Sequence, residues 1–128
     1  MVERHITAEA MHASLTPELR RLADAVGLEA VMRLVAARGG TNFYIPHRAS
    51  PDTELFRIVG SEAAARFTEA MPGTHLKLPT CRRALVLYWT DRGMSRAEVA
   101  RELRLDQRSV HRILAELDER QIDLFASP

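Results

Sequence analysis

The chain has 128 residues, of which 46% are hydrophobic, 27% charged and 5% aromatic. That profile excludes collagen-like, low-complexity and wholly disordered chains and leaves room for one ordinary domain or two small ones. Eighteen Lys and Arg against seventeen Asp and Glu give a formal net charge of +1, so no field of the whole chain announces a nucleic acid or a membrane.

The first two thirds repeat themselves. At an offset of 33 residues, Leu22–Pro46 matches Leu55–Pro79 without a gap, with ten identities over 25 positions. They are Leu22/Leu55, Val26/Val59, Gly27/Gly60, Glu29/Glu62, Ala30/Ala63, Arg33/Arg66, Ala37/Ala70, Gly40/Gly73, Thr41/Thr74 and Pro46/Pro79. Each copy reads as helix, glycine break, helix, glycine, short strand, proline. In the first, Thr16 is the expected N-cap with Pro17 behind it, Leu19, Leu22, Ala23 and Val26 recur at helical spacing, and Gly27 stops the helix. Leu28, Val31, Met32, Leu34 and Val35 make the apolar face of the next helix, which Gly39 and Gly40 end by taking positive φ. Phe43, Tyr44 and Ile45 follow as a strand closed by Pro46. The second copy is expected to start with Ser50 as N-cap before Pro51, break at Gly60, restart at Ser61, end at Pro72-Gly73 and finish with a strand over Leu76–Leu78. So short a strand needs a partner. It is either the strand of the other copy, antiparallel within the chain, or the same strand across a homodimer.

Charge gathers after the repeat. Met1 to Thr74 holds eight basic and nine acidic residues, whereas Lys77 to Ala115 holds nine basic and four acidic. A helix is expected over Cys81–Asp91, with Leu85, Tyr88 and Trp89 packing behind a helix, tight turn and helix between Ser95 and Leu117. Ser95 and Glu98 form an S-x-x-E capping box, and Asp106 is the expected N-cap of the last helix. Val99, Leu103, Leu105, Val110, Ile113 and Leu114 supply the buried set, and Ala100 is the small residue where two helices cross. With Val110, Ile113 and Leu114 inward, the last helix turns Gln107, Arg108, His111 and Arg112 outward near its N-terminus. These are positions from which a helix in the major groove reads bases: Arg pairs with guanine in two places and Gln with adenine. Lys77, Arg82 and Arg83 are placed for phosphates. Tyr44, Ser95 and Arg96 complete the phosphate or minor-groove set. Arg104 stands where such turns often carry Gly, at a cost of about 1 kcal/mol if it is left-handed.

The fold expected is therefore mainly α: residues 1–15 as an arm or extra helix, and 16–79 as a tandem helix-helix-strand domain with a two-stranded β pair. Residues 80–128 are the expected helix-turn-helix DNA-binding domain with its tail, and the copies of the tandem run over about 16–46 and 50–79. Rival readings are weaker. Cys81 is the single cysteine, which excludes an intrachain disulfide and a cysteine-rich zinc site and points to a reducing cytoplasm. Its neighbours Arg82 and Arg83 would lower a thiol pKa, but no catalytic partner is identifiable. His5, His12, His47, His75 and His111 show no metal-binding spacing, and phosphate loop and nucleophile elbow are both missing, so neither enzyme nor cofactor is expected. The start of the chain lacks a basic then apolar stretch, and the longest apolar run, Ala84–Trp89, is far below the ~18 residues of a membrane helix, so neither signal peptide nor membrane span is expected. A protein-binding adaptor is the stronger rival, with Ile122, Leu124 and Phe125 as an apolar cluster that either docks on a partner or covers the core.

On Gly39-Gly40-Thr41 to Tyr44-Ile45-Pro46, and on Val99 to Ile113, the chain resembles the Mor family of transcription activators from Mu-like phages, over roughly residues 22–117. The resemblance implies a dimerisation unit of two helices and a strand ending Y-I-P, linked to a C-terminal helix-turn-helix. It further implies promoter binding, contact with host RNA polymerase and work in the cytoplasm of a bacterial host, on the nucleoid when DNA is bound. Activation rather than repression rests on this likeness alone. In the family pattern the unit occurs once; here it occurs twice, and Lys77 stands where the strand has its Tyr. The duplication suggests a pseudo-dimer inside one chain in place of a homodimer of two.

Overall fold

A computed structural model describes residues 6–126, with side chains to Leu117; the tail cluster of Ile122, Leu124 and Phe125 lies outside the described side chains. The fold is mainly helical, with one small antiparallel sheet. It divides into two compact units: residues 12–81, and the residues from Arg82 onward together with the segment up to Met11. A short helix α1, Ala8–Ala13, opens the described chain, its first turn held by the Thr7 hydroxyl accepting from the Ala10 N–H.

In the 12–81 unit, α2 (Pro17–Val26) begins where the Thr16 hydroxyl accepts from the Leu19 N–H at 3.3 Å, with Pro17 supplying the φ of the first turn. Gly27, at φ 102°, turns the chain straight into α3 (Leu28–Arg38), a backbone state that side-chain-bearing residues rarely adopt. Gly60, at φ 87°, makes the same corner between α4 (Glu54–Val59) and α5 (Ser61–Ala70). α2 packs on α3 and α5, and α4 packs on α3 and α5. Phe67, Leu19, Met32 and Leu55 are fully buried among them. Each buried side chain of that size contributes roughly 1.5–3 kcal/mol relative to exposure.

The strands β1 (Asn42–Ile45) and β2 (Thr74–Lys77) pair antiparallel within the chain, with Phe43 opposite Leu76 and Tyr44 opposite His75. Backbone bonds prolong the ribbon past its formal ends: Gly40 N–H donates to Leu78 O, and Leu78 N–H to Thr41 O. Phe43, Ile45, Leu76 and Leu78 point into the core, so one face of the ribbon is buried and the other wet.

Several boundaries differ from those expected. Thr53, not Ser50, caps α4: its hydroxyl accepts from Phe56 N–H while its own N–H and O–H donate to Ser50 O, so residues 50–53 form a turn. The second strand runs over Thr74–Lys77 rather than Leu76–Leu78, because its length is set by what faces β1. Only Gly40 takes positive φ after α3. Gly39 has φ −54° and is required for space, since a Cβ there would lie 2.7 Å from Val35 O and 3.3 Å from Pro79 O.

In the other unit, α6 (Arg82–Asp91), α7 (Arg96–Leu103) and α8 (Gln107–Ala126) pack pairwise. Ala84, Val86, Val99, Val110 and Leu114 are fully buried at their junction. Leu85 and Tyr88 are buried as expected, but Trp89, Leu103, Leu105 and Ile113 are only partly so, because the three-helix core closes on Val86, Leu87 and Leu117 instead.

Candidate nucleic-acid interface

The arrangement of α7 and α8 is fixed by local hydrogen bonds. At the start of α7 the Ser95 hydroxyl accepts from Glu98 N–H at 3.1 Å while Glu98 Oε1 accepts from Ser95 N–H at 3.4 Å, the reciprocal capping box. Arg104, at φ 55° and ψ 42°, ends α7 in the left-handed conformation, and the Leu105 N–H reaches back to Ala100 O at 2.9 Å, a Schellman-type closure. Asp106 caps α8, its Oδ1 accepting from Ser109 N–H at 2.8 Å. The hydrogen bonds from the Ser109 backbone and side chain, helped by Arg108 and Arg112, hold the Asp106 carboxyl below its usual pKa.

This anchoring decides which side of α8 faces water. Val110 and Leu114 are 0% and 1% exposed, so the opposite stripe of Gln107, Arg108, His111 and Arg112 is turned to solvent. All four residues expected to read bases thus share one exposed face in the first turns of the helix. Among the described residues Arg108 and Arg112 make neither a side-chain hydrogen bond nor a salt bridge, and Arg96, Arg101 and Arg104 are exposed nearby in sequence on α7 and the turn.

The expected phosphate-contact residues fall into three groups. Arg82 and Arg96 are exposed. Ser95 is committed to the capping box, and Arg83 pairs with Glu116 on α8, tying α6 to α8. Tyr44 and Lys77 belong to the 12–81 unit, where they lie on the wet face of the ribbon. Tyr44 is 46% exposed and stacks at a tilt on His75, centroids 5.0 Å apart, while Lys77 faces Asn42. Sequence reading missed Asn42 and His75 on this face, although the alternation around buried Phe43 and Leu76 was the signal that places them.

Cys81 precedes α6 instead of starting it, with φ 50°, and burial pushes its thiol pKa up rather than down. Among the described residues no three His, Cys, Asp or Glu gather as a metal site, and no helix is long and apolar enough to cross a membrane. Compared with protein-family models, with curated proteins and with solved structures, the chain matches none.

Proposed function

We propose that the chain is a sequence-specific DNA-binding transcriptional regulator that reads the major groove through α7 and α8 acting as a helix-turn-helix. The observation that carries this reading is the exposed stripe of Gln107, Arg108, His111 and Arg112 on a helix whose start is fixed by the Arg104 turn and the Asp106 cap. Three of the four carry donors suited to base edges or phosphates at neutral pH whatever the tautomer of His111, and an α-helix fits the major groove. Exposed Arg82 and Arg96 supply phosphate contacts, and Tyr44 and Lys77 supply contacts from the ribbon to a phosphate or the minor groove. Through the likeness to Mor activators, the regulator is a phage or prophage protein that recruits host RNA polymerase at a promoter, in the host cytoplasm. No catalysis and no cofactor enter this reading.

The test is selection of bound duplexes from a random DNA pool at near-physiological salt. Enrichment of a defined sequence, with affinity that falls steeply as salt rises, is the expected result. A pool that stays random, beside salt-insensitive capture of a protein partner, overturns the reading in favour of an adaptor built on the same scaffold.

A further inference from the structure

The 12–81 unit obeys an internal two-fold rule. Phe43 lies opposite Leu76, the residue 33 positions on, which is also the offset that brings the ten identical pairs of the sequence together. The neighbours follow: Asn42 faces Lys77 and Tyr44 faces His75, and each of these pairs is the other's image at the same offset. Any antiparallel pair has local two-fold axes, but here one of them passes through Phe43 and its own counterpart, and a register slip of a single residue would put equivalent residues of the two copies on opposite faces of the ribbon. The helices keep it too, since α2 packs on α5 and α3 on α4, the exchange of partners that the axis through Phe43 and Leu76 demands.

Loops and side chains agree. Thr80 lies against Gly40, and His47, its counterpart 33 residues back, lies against Gly73. A cleft of about 370 Å³ is lined by both copies at equivalent places, Gly27 with Gly60, Glu29 with Glu62 and Arg33 with Arg66. Arg66 Nε donates to Val26 O at 3.2 Å, so a side chain of one copy holds the helix end of the other. After Pro79 the chain passes into α6 and the reading helices; after Pro46, the equivalent point, it passes into α4.

From these correspondences we infer that residues 16–79 are a covalent pseudo-dimer. The surface that copy one would offer to a second chain is filled by copy two, and the protein works as a monomer with one reading head on an asymmetric DNA site. The single head rests on the DNA-binding reading; the filled surface does not.

Light scattering on the full chain decides the second point without DNA. The expected mass is 14.4 kDa, unchanged across micromolar concentrations, whereas a doubling with concentration overturns the inference. In a mixture of chains carrying different isotope labels, the Phe43–Leu76 contact should give cross-peaks only within a chain; cross-peaks between chains overturn it. On a duplex recovered by selection, one chain per duplex and a non-palindromic consensus are expected, and two chains on an inverted repeat contradict the single head. Failure to recover any duplex sinks the DNA-binding reading alone, because the mass and the isotope-filtered contacts still decide the pseudo-dimer.

Discussion

Arg108 and Arg112 are the side chains on which the proposed function turns. Replacing either with Ala should cost about 1–3 kcal/mol on the preferred duplex and relax its specificity, while Lys77→Ala should weaken all sequences nearly equally, as titrations against matched and scrambled duplexes would show. Arg104 ties stability to function in one residue. Its left-handed backbone costs a branched-at-Cβ-free but side-chain-bearing residue about 1 kcal/mol that Gly would not pay, so Arg104→Gly should raise the thermal midpoint. If Arg104 also meets a phosphate, the same variant should bind DNA with a shallower salt slope. Thr90 is a separate weakness: its hydroxyl is buried with no partner among the described residues, and Thr90→Val should stabilise the fold by about 1 kcal/mol in denaturant unfolding.

Capping governs the elements, and much of it was legible. Thr16, the Ser95–Glu98 box and Asp106 sit where the sequence places them, because a hydroxyl or carboxylate three residues ahead of a helical N–H is a local relation. The start of α4 was not legible, since Ser50, Asp52 and Thr53 are all competent caps and the choice depends on the turn that Ser50 O closes. Nor was the engagement of Arg83 by Glu116, which joins residues 33 apart on different helices. The exposed stripe of α8 could be read because helical periodicity fixes it once Val110 and Leu114 are buried. Asp106 adds a pH signature. A carboxyl held below its unfolded pKa of about 3.9 contributes stability that is fully present above that value and lost as pH falls through the folded one. The advantage of the native chain over Asp106→Asn in thermal unfolding should therefore be constant near neutrality and shrink only in the acid range.

At the scale of the molecule, the duplicated unit predicts its own reversal. Deleting residues 47–79 joins Pro46 to Thr80, the same Pro-Thr junction that follows copy two, and leaves one copy with one reading head. That shortened chain should pair with a second, giving a particle of twice its own mass and a preference for an inverted repeat, both measurable on one sample by light scattering and duplex selection. The wet face of the ribbon shows what the covalent arrangement permits. Two identical chains crossing at Phe43 would repeat each outward residue twice, whereas here the four places hold Asn42, Tyr44, His75 and Lys77, all different. Joining the copies lets each strand drift alone, so the ribbon has a left and a right: an aromatic phenol leads on one strand and a cation on the other. On the DNA-binding reading proposed above, a surface with that polarity would tell upstream from downstream along a duplex, a distinction denied to any symmetric dimer.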